Sequence, residues 1–340
     1  MSATERRTTA ESGRSPATVT DVVGEVRLRH LHSVTNEAYP VPVVLVPSLL
    51  SRWYIFDVHP ARSLAGYLAT RGLDVWIVDW GEPPRQRPSA DFSTYTDEYL
   101  RRVIDDVTEA TGVDHVSLLG YSLGGVLATM FTALNPVRVR NLMTLATPVD
   151  FSRAGMATTA ARYFPVDPFV DFWGNIPAWW FRAALSSLAL PRLGSLWKSF
   201  AGDMATTEGR EVAAALRSWV GDGVPVAGEM YRTLLKDCYR HNRLIRGGLV
   251  IGGTPVKLTD IGCSLLTIAA ADDHLCPPPA AEALNQAVAS GDETTVTVPG
   301  GHLGAVVGPG AAHLLWTKII SWLEPRSGHR PTELYGGAAL

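Results

Sequence analysis

The chain has 340 residues, 46% of them hydrophobic, with 30 Lys and Arg set against 33 Asp and Glu for a formal charge of −3. Such a chain can bury a large core, as one large domain or two smaller ones. It lacks the basic footprint of a nucleic-acid binder, so no nucleic-acid partner is expected.

Residues 1–20 are rich in Ser, Thr and Arg, hold no apolar stretch of the secretory kind, and read as a disordered N-terminal segment. Val22 to Val34 alternates enough for an edge strand or hairpin. Val41 to Val46 is a wholly apolar, mostly β-branched run, the mark of a buried parallel strand. Ala61 to Arg71 reads as a helix ended by Gly72, and Leu73 to Trp80 as the next buried strand. Phe92 to Thr111 carries Tyr95, Tyr99, Val103 and Val107 at helical spacing. A strand over 113–120, a helix over Leu123 to Leu134 stopped before Pro136, and a strand over Val139 to Thr147 follow.

Strands alternating with helices at this spacing imply βαβ units and a parallel sheet. The alternation then stops. Residues 151–260 read as a mainly helical insertion that holds Trp173, Trp179, Trp180, Trp197 and Trp219. It resumes with Ser264 to Ala271 as a strand, Pro278 to Ser290 as a helix, Thr294 to Val298 as a strand and Ala311 to Leu323 as a helix. The organisation expected is a core of 21–150 and 261–325, a helical cap of 151–260 and a flexible tail of 326–340. Cys238, Cys263 and Cys276 are odd in number and widely spaced. They argue against a disulfide framework and for a reducing, cytoplasmic setting. No metal-ligand spacing surrounds them, so they read as packing residues, and neither a metal nor another cofactor is expected. No segment reaches the roughly 18–20 apolar residues of a membrane span.

The chemistry is concentrated in Gly120-Tyr121-Ser122-Leu123-Gly124-Gly125. A strand, then G-x-S-x-G, then a helix is the nucleophile elbow of the α/β-hydrolase fold. Ser122 is the expected nucleophile, exposed at a helix N-terminus that favours developing negative charge. A serine hydroxyl needs a base, and the base needs an orienting carboxylate, in the chain order Ser, acid, His. His302 lies in a glycine cluster after the last strand and is the expected base. Asp273 is the expected orienter, with Asp272 as the alternative, and His274 reads as a structural neighbour. The backbone N–H of Leu123 should supply one oxyanion donor. The second should come from Pro47-Ser48-Leu49-Leu50, with Leu49 favoured and Leu50 next. Tyr121, Leu50, Trp173, Trp179 and Trp180 are candidate substrate contacts, although the tryptophans could equally form the packing core of the cap.

At these residues the chain resembles polyhydroxyalkanoate synthases, in particular the shorter kind that works with a second subunit. The resemblance runs from about Val22 to Trp322. Its markers are Val46-Pro47-Ser48-Leu49-Leu50-Ser51-Arg52 with Tyr54-Ile55-Phe56-Asp57; Val78-Asp79-Trp80-Gly81-Glu82-Pro83; Asn141-Leu142 with Thr147-Pro148-Val149-Asp150-Phe151; Gly174-Asn175-Ile176-Pro177; Asn242-Arg243-Leu244-Ile245; Ile251-Gly252-Gly253; and Asp273-His274 with Pro277. It implies an α/β-hydrolase core under a mobile cap, 3-hydroxyacyl thioesters or their oligoesters as substrates, and a homodimer or a partner subunit. It also implies Ser122, Asp273 and His302 as nucleophile, acid and base. The family carries Gly-x-Cys-x-Gly-Gly, and this chain has serine in place of that cysteine. A serine oxyester is a less activated acyl donor than a thioester, which favours water or one defined alcohol as acceptor over a growing polymer.

The leading expectation is a serine-dependent acyl hydrolase or acyltransferase acting on a hydroxyacyl ester or thioester, CoA- or carrier-linked. The alternatives are a tailoring lyase or cyclase using His302 as a base, and a synthase-like polymerase or non-catalytic partner subunit.

Overall fold

The computed structural model of the protein describes residues 6–9, 14–31, 38–84, 89–189 and 203–328. Three antiparallel strands come first: β1 (Arg6–Thr9), β2 (Ala17–Val23) and β3 (Val26–Leu31). The expected hairpin is thus shifted toward the N-terminus and turns at Gly24, where φ is 58°. The reading of residues 1–20 as disordered is corrected by the same strands. Thr8 and Thr9 are β-branched as well as polar, and they pair with Thr18 and Ala17 of β2. Residues 1–5 and 10–13 of that segment lie outside the described residues.

The chain continues through β4 (Val43–Val46) and a short ribbon of β5 (Asp57–His59) and β6 (Arg62–Ser63). Helix α1 (Leu64–Thr70) starts later than its spacing suggests, because Ser63 caps it: Gly66 N–H donates to Ser63 Oγ at 2.8 Å. Then come β7 (Val75–Asp79), α2 (Arg101–Thr111), β8 (Val116–Tyr121), α3 (Leu123–Leu134) and β9 (Val139–Leu145). A π-helical turn over Thr94–Leu100 leads into α2, and Gly112 ends it at a φ of 71°. Sheet strands β12 (Ser264–Ala270) and β13 (Glu293–Val298) come after a small hairpin of β10 (Val250–Ile251) and β11 (Thr254–Pro255). The sheet order is β1-β2-β3-β7-β4-β8-β9-β12-β13, and β7 and all strands beyond it run parallel.

Both faces of the parallel part are covered, which is why β4 can be apolar at every position. Val44 and Val46 point to one side with Tyr99, Val103 and Phe131, whereas Val43 and Leu45 point to the other with Leu64, Leu68 and Ile319. α3 is buried nearly all round, since it crosses the centre of one face.

Between β9 and β12 the chain leaves the sheet and returns beside the strand it left, with Leu142 opposite Leu265. The excursion holds α4 (Met156–Tyr163), α5 (Val166–Trp173), α6 (Ala178–Ala189), a helix over Thr207–Gly221, and a helix over Gly228–Thr233 that continues as a π-helical stretch over Leu234–Arg240. Arg232 ties the later part to α5 through Asp167 at 2.5 Å and Asp171 at 2.6 Å. Trp197 lies outside the described residues.

The helix at Pro278 is shorter than expected and ends at Glu282. Beyond it the backbone tightens, with Asn285 N–H donating to Glu282 O and Ala287 N–H to Leu284 O. The final helix, Thr317–Leu323, is preceded by a π turn over Ala312–Trp316. Within the tail expected to be flexible over 326–340, Arg326 donates to both oxygens of Asp292, at 2.8 and 2.9 Å. Residues 329–340 lie outside the described residues. No helix among the described residues is long and apolar enough to cross a membrane.

Candidate active site

The turn between β8 and α3 forces Ser122 to a φ of 54° and a ψ of −123°. A non-glycine residue there carries strain of about 1–3 kcal/mol, which persists only where the surroundings over-determine it. Here they do. A Cβ on Gly124 would overlap the carbonyl oxygens of Val46 and Pro47, and one on Gly125 would overlap Thr147. Ser122 N–H donates to Leu145 O at 2.9 Å, fixing the elbow to β9.

Two loops bring the other polar groups to Ser122. His302 Nε2 lies 3.0 Å from Ser122 Oγ, and its Nδ1 lies 2.6 Å from Asp273 Oδ2. An ionised carboxylate only accepts hydrogen bonds, so Nδ1 carries the proton and Nε2 is left to accept from the serine hydroxyl. Asp273 is buried, and its other oxygen accepts from Leu275 N–H and Cys276 N–H, both at 2.9 Å. Asp272 instead lines the cavity, while its own N–H donates to Gly300 O. The structure therefore brings together Ser122, Asp273 and His302, and leaves the alternative acid apart. Among the described residues no group of three His, Cys, Asp or Glu could hold a metal ion.

Tyr121, a candidate substrate contact, lines the same cavity as Ser122 and also supports the histidine loop. It is buried, and its hydroxyl donates to His302 O at 3.2 Å, so it props the histidine loop from below. Burial, then the nearby Asp273 carboxylate, raises its pKa well above the ordinary tyrosine value and keeps it a donor. Cys276 is buried beside the same carboxylate, and its thiol is likewise pushed well up. It is a packing residue, as its surroundings require.

Ser122 and His302 open onto a cavity of about 880 Å³. The loop after β4 faces it with Ser48, Leu50 and Ser51, whereas the side chain of Leu49 turns into the core. Leu50 N–H donates to Ser48 Oγ at 3.3 Å. Leu123 is the first residue of α3, where an N–H has no acceptor within its own helix.

None of the three tryptophans offered as substrate contacts lines the cavity. Helix periodicity explains the miss. α6 turns Ala178, Phe181 and Arg182 toward the cavity, at i, i+3 and i+4, which leaves Trp179 and Trp180 on other faces. Trp180 packs on Phe169 with ring centroids 4.6 Å apart, and Trp173 and Trp179 stay 41% and 50% exposed. Among the described residues, the tryptophan that does line the cavity is Trp219, on the Thr207–Gly221 helix. Nothing in its local sequence sets it apart from the other tryptophans of residues 151–260, because only the packing of its helix turns it inward.

Several marker motifs noted above prove to be fasteners. Asn242 adopts a φ of 53°, accepts from Phe151 N–H at 2.9 Å and donates to Asp150 at 2.7 Å, joining the two ends of the helical excursion. Asn175 Nδ2 donates to the carbonyls of Pro83 and Pro84 at 3.2 and 3.0 Å.

The parallel sheet, the elbow and the loops after β12 and β13 define the class. A family model for the α/β-hydrolase fold matches residues 41–309, and the chain belongs to that family. Two solved structures share the fold: a thermophilic esterase from Thermogutta terrifontis, at 18% identity and a TM-score of 0.56 over 93% of this chain and 100% of that one, and the enol-lactonase from Burkholderia xenovorans, at 16% and 0.52 over 89% and 98%. Sequence relatives narrow the class. The poly(3-hydroxyalkanoate) polymerase subunit PhaC of Allochromatium vinosum is 37% identical over 296 residues, covering 85% of this chain and 82% of that protein. The PhaC of Thiocystis violacea is 34% identical over 292 residues, covering 84% and 81%. Within the hydrolase fold, the chain is a member of the PhaC family of poly(3-hydroxyalkanoate) polymerase subunits, and it is an enzyme by fold and family.

Proposed function

We propose that the protein is a serine-dependent acyl hydrolase or acyltransferase that takes a hydroxyacyl ester or thioester through an acyl-Ser122 intermediate. The observation that supports this most is the unbroken run of hydrogen bonds Ser122–His302–Asp273 at the wall of a large cavity. Ser122 Oγ attacks the acyl carbonyl while His302 Nε2 takes its proton, and buried Asp273 stabilises the imidazolium. The oxyanion is held by the N–H of Leu123 and, in this reading, by that of Leu49 in the loop after β4. The C–S or C–O bond to the leaving group then breaks, and His302 returns its proton to that group. Water or an alcohol, deprotonated by His302, attacks the acyl-serine and restores Ser122. In this reading residues 151–260 form the cap, and 21–150 with 261–325 the catalytic core.

Relatives named as polymerases suggest a 3-hydroxyacyl thioester, CoA- or carrier-linked, as donor. Serine in place of the family's cysteine makes the bound acyl group less activated, and this favours one transfer or hydrolysis over repeated chain growth. Purified Ser122→Ala and His302→Ala should both lose turnover of 3-hydroxybutyryl-CoA. Retained turnover in Ser122→Ala with loss in His302→Ala would replace acyl transfer by elimination with His302 as the base.

A further inference from the structure

The loop after β4 and the Thr207–Gly221 helix are joined by side chains that the Ser122 elbow and the His302 loop do not use. Arg52 sits between two acids: Nη2 donates to Glu82 at 2.5 Å and Nε to Asp222 at 3.0 Å. Tyr54 Oη donates to the other oxygen of Asp222 at 2.8 Å. From the helix, Trp219 Nε1 donates back to Arg52 O at 3.1 Å. From α6, Arg182 Nη1 donates to Gly221 O at 2.6 Å. Ser51, Trp219 and Asp222 line the same cavity as Ser122.

Asp222 is badly placed for its own helix. It is the C-cap residue, where the last carbonyls already carry partial negative charge and a cation or glycine is the stabilising choice. Its partners across the gap account for an acid there. Arg52 retains 23% side-chain exposure against 44% for Asp222, so solvent screens the pair mainly from the helix side. Burial, then the bond to Asp222, pushes Tyr54 up to about 12, and its hydroxyl stays a donor across the working pH range.

Resting on the acyl-serine reading, we propose that Asp222 is a positioning residue: it fastens the Thr207–Gly221 helix to the Ser48–Tyr54 loop, so that the second oxyanion donor is held in place only while the helix closes the cavity. The side chain acts through Arg52 and Tyr54 and touches no reacting atom.

Two readouts separate the clasp from the reaction. In Asp222→Asn, amide hydrogen exchange should rise about tenfold in residues 48–56 and 207–222 together, because both segments lose one shared restraint. On a short p-nitrophenyl ester, kcat should fall about tenfold with KM within about twofold, as befits a donor needed in the transition state. Tyr54→Phe removes a single bond from the same acid and should move both readouts in the same direction by less, which covers the case of a poorly folded Asp222→Asn. Faster exchange confined to 207–222 with native kcat would overturn the proposal, as would a fall in kcat without faster exchange at 48–56. Fluorophosphonate labelling of Ser122 in the native protein judges the underlying chemistry independently. Absence of labelling would sink the acyl-serine reading and leave the exchange pattern to decide the clasp.

Discussion

The wall that holds Ser122 and the helices that stand opposite follow opposite rules of construction. In the wall each polar group has an assigned neighbour: Ser122 with His302, His302 with Asp273, and Asp273 with two backbone N–H groups. In α5 and α6 the large aromatics meet mainly each other, with Phe172–Trp173 centroids at 5.3 Å and Trp173–Trp179 at 5.9 Å, and Phe172 is 79% exposed. Reaction class is set where backbone and hydrogen bonds leave no freedom. The shape of the cavity depends on which face of a helix in the 151–260 excursion turns inward, and in α5 and α6 the tryptophans are not the residues that line it.

The largest effects of substitution are expected at the wall. Asp273→Asn should keep the fold but leave His302 in the wrong tautomer, lowering turnover by about 10³- to 10⁴-fold in steady-state assays. An effect under about tenfold would mean that the wall is not the reaction centre. Gly125→Ala tests the packing beneath it. The added methyl meets Thr147, and the expected loss is about 1–3 kcal/mol, seen as a lower midpoint in urea unfolding at an unchanged slope. On the opposite side, Trp219→Ala should raise KM about tenfold through lost cavity surface, whereas Trp179→Ala should change it less than about twofold. Equal effects would erase the distinction between the two aromatic faces. The smallest expected effect is at alkaline pH. Tyr54 keeps its proton in the folded state up to about 12, against an ordinary value of 10.0, so the folded chain binds more protons than the unfolded one in that window. Stability from this group is whole below about pH 10 and is lost as pH climbs toward 12; Tyr54→Phe should flatten that part of a denaturation profile.

Much of the wall could be read from sequence because its determinants are local. The β-branched run of β4 needs cover on both faces, the glycines around Ser122 admit no Cβ, and the acid and histidine follow their strands in the order the reaction requires. What escaped depends on contacts distant in sequence. Arg52 and Asp222 are 170 residues apart, and neither residue type at its position predicts the other. Trp219 and Trp179 have the same composition signal and opposite exposure to the cavity, since only the packed helix fixes which face turns in. At the N-terminus, threonine supports both a solvated segment and a strand, and the pairing of β1 with β2 decided between them.

In the proposed reaction an acyl group passes through Ser122. The direct measurement is mass spectrometry of the protein acid-quenched within milliseconds of mixing with 3-hydroxybutyryl-CoA. A hydroxybutyryl adduct is expected on the peptide that carries Ser122, formed no more slowly than product and missing in Ser122→Ala. Product accumulating at full rate while Ser122 stays unmodified at every quench time would contradict the proposed reaction.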